Sequence, residues 1–299
     1  MFTRLSRPSS PALTASGVFL AAAGLCCLCA PRSARADGPT AAPQFSAAAP
    51  AKASDDKTTW TLGAGGVLNT GNTQSWSVNA GSAFGLVRGP HQFTANAAFN
   101  YGQANAPDDT PDKGYQDTVK NLNLDGRYDY YFTKRDAVWV AAAERWDTFA
   151  NFDTQFRAEG GYLRVLCKTA NHSLTLRLGY SYTYELYHTP LVDKTDMTTV
   201  LGDHQSIHGA LFAFDSTHKI SDDLQALAGF QLIDNLNDLD IKQAKAGRDV
   251  RIDFHAEMTA KLMKKLSGSV RFQLLYDRVP ASAKKLDTAT TVNLLYTLL

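Results

Sequence analysis

Apolar and polar side chains alternate along most of the chain from residue 58 onward. The clearest stretch is residues 121–130, in which leucine and tyrosine alternate with asparagine, aspartate and arginine. Residues 173–186 and 250–261 repeat this pattern. A period of two residues is typical of a β-strand with one apolar and one polar face. The pattern therefore predicts an all-β protein.

Twelve such segments follow one another, and they are long. Their lengths suit a tilted strand that crosses a bilayer (about 9–11 residues) better than a strand of a soluble protein (about 5–6 residues). The predicted strands are 58–69, 74–87, 91–103, 116–132, 137–149, 153–167, 172–187, 205–218, 223–234, 248–261, 266–278 and 286–299.

The connections between these segments alternate in length. Short ones such as 88–90 and 168–171 take turns with long ones such as 104–115 and 188–204. Outer-membrane barrels have short turns on one side of the membrane and long loops on the other. Because lipid offers the backbone no hydrogen-bond partner, such a sheet must close on itself. We therefore predict a closed antiparallel up-and-down transmembrane β-barrel of about 12 strands, with lipid on its apolar face.

The composition agrees with a barrel and argues against other classes. The 299 residues include 30 basic and 29 acidic side chains, a net charge of +1, which argues against a protein held to nucleic acid by charge. The hydrophobic fraction of 44% argues against disorder. The mean hydropathy is only −0.24, because the apolar residues occupy alternate positions instead of forming continuous runs.

The N-terminal segment has the features of an export signal. Arg4 and Arg7 precede an apolar stretch, and Ala34-Arg35-Ala36 fits a signal-peptidase site, so we predict cleavage near Ala36. An uncleaved anchor in the inner membrane is the alternative. The predicted division of the chain is a signal peptide at 1–36, a flexible Ala- and Pro-rich lead-in at 37–57 and an outer-membrane barrel at 58–299.

Four short motifs occur in an order that resembles a known family. They are Asn-Thr-Gly-Asn-Thr-Gln-Ser at 69–75, Arg-Gly-Pro-His-Gln-Phe at 88–93, Arg-Tyr-Asp-Tyr-Tyr-Phe at 127–132 and Arg-Ala-Glu-Gly-Gly-Tyr at 157–162. In this order they resemble the family of salt-induced outer membrane proteins, a domain of unknown function from Gram-negative bacteria. The resemblance implies an outer-membrane β-barrel and a link to salt or osmotic stress. It implies no substrate and no catalytic residue.

The polar faces of the predicted strands place charges of both signs in the lumen. One interpretation is a narrow pore for polar solutes, with weak ion selectivity because the signs are mixed. The other is a structural envelope protein whose lumen is filled by ion pairs. Twelve strands leave a narrow interior that permits either function. The lumen-facing candidates are Asp125, Arg127, Asp129, Arg157, Glu159, Arg177, Glu185, Arg251, Asp253, His255, Glu257, Lys261 and Arg271.

Aromatic residues gather at the ends of two predicted strands. Membrane barrels carry such residues in girdles at the two lipid–water interfaces. We therefore expect lipid of the outer membrane around the barrel. We also expect the barrel-assembly machinery and periplasmic chaperones as partners, and no nucleic acid; the oligomeric state stays open. The girdle candidates are Tyr128, Tyr130, Phe132, Tyr180, Tyr182 and Tyr184.

Two further functions stay open at the level of sequence. A barrel enzyme acting on lipid needs a nucleophile beside a base. The seven histidines lie in no catalytic motif, and only His255 lies within a dense row of charged residues, so we predict no catalytic residue, no metal site and no cofactor. A cell-surface protein could instead hold divalent cations through acidic loops. The acidic loop residues are Asp108, Asp109, Asp112, Asp238 and Asp240.

Overall fold

The structure is a computed structural model that describes residues 56–69, 75–105, 114–193, 198–280 and 285–299. The predicted signal peptide and nearly all of the predicted lead-in lie outside the described residues. Within these ranges, no α-helix has the length and apolar character that a membrane span requires.

The described chain forms twelve β-strands. Most of them begin and end within about two residues of the segments that alternation predicts. Their bounds are β1 Lys57–Asn69, β2 Ser75–Arg88, β3 His91–Asn105, β4 Tyr115–Tyr131, β5 Asp136–Asp147, β6 Phe152–Lys168, β7 His172–Val192, β8 Val200–Lys219, β9 Leu224–Asn235, β10 Val250–Lys261, β11 Leu266–Asp277 and β12 Leu286–Thr297.

The sheet closes on itself. Each strand pairs antiparallel with the next, and β1 pairs with β12 to complete a closed barrel. The closing register runs from Thr61 opposite Thr297 to Gly65 opposite Asn293. The predicted twelve-stranded up-and-down barrel is therefore confirmed. Closure leaves the sheet without free edges, which a sheet surrounded by lipid requires.

The two ends of the barrel differ in their connections. At one end, here called the turn end, all five connections are short: 89–90, 132–135, 169–171, 220–223 and 262–265. Gly89 adopts a positive φ of 53° in the tightest of these turns, a conformation that glycine adopts without steric cost. The opposite end, here called the loop end, carries the longest connection, 236–249.

Strands β7 and β8 are longer than the sequence predicts. Their hairpin continues into the predicted loop 188–204, where Leu191 pairs with Gly202 and Val192 with Val200. The register shifts between Leu186 and Leu191, so the strict period of two is broken there. This irregularity explains why alternation alone ends β7 too early and begins β8 too late.

The outer face of the barrel is apolar. Val140, Val292 and Leu294 point outward and are 57–59% exposed. Apolar side chains recur on this face around the barrel, which distinguishes it from the scattered apolar residues of a soluble surface. Buried polar side chains such as Asn79 and Asn121 lie on the inner face instead.

One row of side chains shows how the inner face is filled on one side. Trp139 on β5 is 1% exposed and lies opposite Gly161 on β6, which pairs with Gly179 on β7, which pairs with Leu211 on β8. The two glycines leave room for the indole, because a Cβ at Gly179 would lie 3.1 Å from the Trp139 ring. Trp139 and Leu211 therefore belong to one buried apolar cluster although two strands separate them.

Candidate functional site

A cavity lies in the lumen. It has a volume of about 220 Å³, and side chains from β3 to β11 line it. Nine strands can reach one cavity only if it lies inside the closed barrel. Its lining is mostly polar and includes Arg127, Arg177 and Asp215. The lumen is therefore the candidate functional site.

Most arginines of the lumen are fixed by carboxylates. Two pairs join residues two positions apart on one strand, with Arg127 Nε 3.1 Å from Asp129 Oδ1 and Arg157 Nε 3.0 Å from Glu159 Oε1. Residues i and i+2 of a strand share a face, which explains these pairs. Two further pairs join neighbouring strands: Arg177 Nη2 lies 3.2 Å from Asp215 Oδ2, and Arg271 Nη1 lies 3.4 Å from Glu257 Oε2.

Arg177 makes a second contact. Its guanidinium lies over the Trp139 ring, 5.3 Å from the ring centroid. A cation over an indole face is stabilised by the ring quadrupole. Trp139 Nε1 donates a hydrogen bond to the carbonyl of Tyr162 at 3.3 Å. These contacts hold Arg177 at the boundary between the cavity and the apolar cluster.

Two carboxylates that line the 220 Å³ cavity have no Lys or Arg nitrogen within 4 Å among the described residues. Asp125 accepts a hydrogen bond from Asn96 Nδ2 at 2.7 Å, and Asp253 accepts from Gln273 Nε2 at 3.4 Å. His255 Nδ1 lies 4.0 Å from Asp253. Asp125 and Asp253 both line the 220 Å³ cavity and also a second cavity of about 80 Å³.

A third cavity of about 130 Å³ lies towards the loop end. Asp253 and Gln231 line both this cavity and the one of 220 Å³, while Arg145 and Gln155 line both this cavity and the one of 80 Å³. Three cavities with shared walls thus follow one another along the lumen, and each has charged side chains in its lining.

The connection between β9 and β10, residues 236–249, is here called the mouth loop. It folds into the barrel opening at the loop end, where Leu239 is 1% exposed and packs with Ile207 and Ala244. Asn237 fastens the loop to β8, since its side chain accepts from the amide of His208 at 2.8 Å and donates to the carbonyl of Ser206 at 3.1 Å.

Lys242 of the mouth loop is completely buried. Its Nζ lies 3.4 Å from Glu185 Oε2, 3.3 Å from Asp277 Oδ2 and 3.8 Å from Asp249 Oδ2. Arg251 contacts the same three carboxylates, at 2.8 Å from Glu185 Oε1. These five residues are here called the mouth cage. The cage holds two cations and three carboxylates, so it has one negative charge in excess.

Glu185 and Asp249 occupy different surroundings within the mouth cage. Glu185 accepts further hydrogen bonds from Tyr187 at 2.6 Å and from Gln155 at 2.7 Å. Asp249 directly precedes β10, and its burial raises the pKa of the carboxyl to about 6, although Lys242 and Arg251 attract the charged form.

The structure places twelve of the thirteen predicted lumen residues on the inner face within the barrel. Lys261 is the exception, because β10 ends there and the residue is exposed at the turn end. Sequence analysis missed further inner charges. Alternation within the predicted strands could have found Arg145, Asp147, Asp215, Asp249 and Asp277, whereas no pattern marks Lys242 in its long connection.

Counting all of them, the inner face of the described barrel carries seven basic and eleven acidic side chains, an excess of four carboxylates. The basic residues are Arg127, Arg145, Arg157, Arg177, Lys242, Arg251 and Arg271, and the acidic residues are Asp125, Asp129, Asp147, Glu159, Glu185, Asp215, Asp249, Asp253, Glu257, Asp277 and Asp287.

The aromatic candidates lie on the outer face. Tyr128, Tyr130 and Phe132 are exposed near the turn end, where His91 Nδ1 is 2.6 Å from the Tyr128 hydroxyl. Tyr180, Tyr182 and Tyr184 follow one another along the outer face of β7 towards the loop end, beside histidines of β8. Their role as interfacial girdles stays a prediction.

The histidines form no nucleophile–base pair in the described residues, since none is hydrogen-bonded to a serine hydroxyl. His204 bonds Asp203 at 2.9 Å, His208 bonds Tyr180, and the nearby Ser206 hydroxyl lies 3.2 Å from the Tyr182 hydroxyl. No group of three His, Cys, Asp or Glu residues in this part of the chain could hold a metal ion.

The acidic loops give a mixed picture. Asp108, Asp109 and Asp112 lie outside the described residues. Asp238 accepts a hydrogen bond from Lys245 Nζ at 2.8 Å, which lowers the pKa of the Asp238 carboxyl. The charge of Asp238 is therefore partly compensated within the mouth loop. Asp240 belongs to the same loop.

The model of one protein family matches residues 62–298 of the chain. The chain belongs to the DUF481 family. This family is described as a protein of unknown function, so membership assigns no role to any residue. The resemblance to salt-induced outer membrane proteins stays a prediction. No curated protein matches the chain in sequence.

Several solved barrels are similar to this chain in fold. A NanC porin is 10% identical with a TM-score of 0.43, covering 80% of this chain and 97% of its own. A KdgM porin is 9% identical with a TM-score of 0.40, covering 80% and 98%. The translocator domain of the autotransporter NalP from Neisseria meningitidis is 12% identical with a TM-score of 0.40, covering 80% and 86%.

Proposed function

We propose that this member of the DUF481 family is an integral outer-membrane barrel with a narrow polar ion path, closed in this conformation by the mouth loop. The cavity lined by charged and polar residues of nine strands carries the proposal. An ion crossing a bilayer needs polar groups in place of its water shell, and the lumen supplies them along three successive cavities.

The membrane location rests on the two faces of the closed sheet. An apolar outer face around a polar interior is stable where lipid surrounds the barrel, and a closed sheet leaves no backbone group unpaired there. Export by the predicted signal peptide, cleavage near Ala36, and delivery by periplasmic chaperones to the barrel-assembly machinery belong to the same proposal.

The path is narrow. The cavities have volumes of about 80–220 Å³, and Arg157, which is paired with Glu159, lies on the wall shared by two of them. A water molecule takes about 30 Å³ in the liquid, so these cavities hold small water clusters. Small ions fit this path, whereas a sugar-sized solute requires the ion pairs to move.

Planar-bilayer recording tests the proposal. The refolded chain lacking residues 1–36 should first show a shift between heated and unheated samples on a gel, as folded barrels do. In the bilayer it should then produce small, infrequent conductance steps, and Lys242→Ala should make them larger or more frequent. Absence of steps from both proteins, when the gel shows them folded, would overturn the pore.

A structural envelope protein is the second candidate. The observation that favours it is the filled lumen, in which six arginines are paired with carboxylates and Trp139 closes one side. If this candidate is correct, neither the wild type nor Lys242→Ala produces conductance steps in the bilayer, and deletion of the gene weakens the envelope instead.

The link to salt or osmotic stress is a separate part of the proposal. It rests on the resemblance alone, and a narrow ion path is compatible with it. Comparing the amount of protein in cells grown at low and high salt tests this link without reference to conductance.

A further inference from the structure

We propose that the lumen selects cations, and that Asp125 and Asp253 together form the selecting site for monovalent metal ions. This inference rests on the proposed pore and names the class of solute that it carries. It departs from the weak selectivity that mixed charges predict from sequence, because the arrangement of the charges in space is uneven.

The first observation is the position of the two carboxylates. Asp125 is on β4 and Asp253 is on β10, so five strands separate them in either direction around a twelve-stranded barrel. The two strands therefore face each other across the lumen. Since both side chains line the same two cavities, an ion moving along the axis passes between two opposed carboxylates.

The second observation is that the nearby guanidinium groups form ion pairs with other carboxylates. Arg157 is held by Glu159 and Arg271 by Glu257, in each case on the wall of the cavity. Asp125 and Asp253 have only amide donors as hydrogen-bond partners among the described residues. Neither carboxylate therefore forms a direct ion pair with a guanidinium, although Arg157 and Arg271 attract both of them at longer range.

The third observation concerns oxygen atoms without partners. Gln273 is 3% exposed, and its Oε1 is buried with no hydrogen-bond partner, while its Nε2 faces Asp253. Asn96 shows the same arrangement: its Nδ2 donates a hydrogen bond to Asp125, and its Oδ1 is buried without a hydrogen-bond partner. Because a carboxylate fixes each amide nitrogen, the amide oxygens are left as acceptors, and they need a donor or a cation.

The ligand class follows from these groups. Two carboxylates and two amide oxygens are hard oxygen ligands, which suit alkali cations. The carboxylates come from opposite walls, and no three acidic or histidine side chains of the described residues converge as a metal centre does. We therefore expect weak, exchangeable occupancy, which conduction requires.

The net charge of the whole interior also favours cations over anions. The described barrel carries four more carboxylates than basic groups on its inner side. In a narrow path between low-dielectric walls, an excess of one sign raises the local concentration of the opposite ion. Asp125 and Asp253 lie within the barrel and have no direct Lys or Arg ion-pair partner among the described residues.

The reversal potential in a potassium chloride gradient tests the inference. The folded wild-type chain, and Lys242→Ala if the wild type opens too rarely, should pass potassium severalfold better than chloride. In the same background, D125N/D253N should lower that permeability ratio severalfold towards unity. D125E/D253E keeps both charges and should retain the preference. Asp222→Asn, which removes an exposed charge at the turn end, is the matched control.

The outcomes separate the two proposals. Conductance without cation preference, or with a preference that D125N/D253N leaves unchanged, overturns the selecting site and leaves the pore intact. A change of equal size in Asp222→Asn would assign the preference to surface charge and would also overturn the site. Absence of conductance from all folded variants overturns the pore itself.

Discussion

Lys242 Nζ lies 3.4 Å from Glu185 Oε2, and neither side chain has any exposed surface. Lys242 belongs to the mouth loop and Glu185 to β7, so their ion pair fastens the loop to the wall of the barrel. Breaking such a pair from one side is costly, because the remaining group keeps a buried and uncompensated charge. Closure of the mouth therefore depends strongly on this contact.

We expect Lys242→Ala to release the mouth loop. Loss of one partner from a buried ion pair costs about 3–5 kcal/mol, which is enough to shift the loop towards a released state. Bilayer recordings should show larger or more frequent conductance steps than the wild type. Trypsin should also cut after Arg248 faster in the variant, because the backbone of a released loop is accessible.

Lys245→Ala is the matched control for this variant. Lys245 belongs to the same loop, but its side chain is 80% exposed and pairs with Asp238 at the surface, where an ion pair contributes little. The Lys245→Ala variant should conduct like the wild type. Equal effects of the two substitutions would contradict the role assigned to the mouth cage.

Acidification should stabilise the closed mouth. Burial raises the pKa of Asp249 to about 6 from 3.8. The Asp249 carboxylate therefore binds a proton more tightly when the mouth loop is docked than when it is released. The protonated cage is neutral, with Lys242 and Arg251 against Glu185 and Asp277. The stabilisation is therefore fully present below about pH 4 and is lost as the pH rises through about 6.

Conductance recorded at about pH 5 and about pH 7 measures this effect, and the open fraction should be lower at the acidic pH. Asp249→Asn removes the titrating group and should lose this difference. If the variant keeps the pH dependence of the wild type, Asp249 is not its source.

Gly179→Ala should destabilise the barrel. A Cβ at this position would clash with the carbonyl oxygen of Gly160 and lie 3.1 Å from the Trp139 ring, so the packed row must shift. Overpacking of this kind costs about 1–3 kcal/mol. The temperature at which the folded band disappears from a gel should fall. Gly160→Ala is the control, since its Cβ would meet its nearest neighbours at 3.4–3.5 Å, and it should melt as the wild type does.

Val140→Arg tests whether lipid covers the outer face. Val140 is 58% exposed near the middle of β5, where an arginine facing the bilayer costs about 2–4 kcal/mol. Folding into lipid vesicles, titrated with urea, should show this loss. Val200→Arg, at the loop-end start of β8, should cost about 0–1 kcal/mol. Equal costs at the two positions would contradict the proposed membrane span.

Much of the fold follows from local pattern. Successive side chains of a strand point to opposite faces, so the period of two predicts the strands and identifies which residues share a face. Asp125 and Asp253 could be assigned to the polar face in this way. The ends of β7 and β8 could not, because the register shift between Leu186 and Leu191 interrupts the period.

The sequence by itself determined a sheet with one apolar and one polar face, because alternation is a local property of the chain. Only the tertiary structure decided which charges meet. Asp125 faces Asp253 because the sheet closes after twelve strands, and Lys242 is buried because a long loop folds into the barrel mouth. Both relationships join residues far apart in sequence, whose distance depends on closure and packing and leaves no periodic signal in the chain.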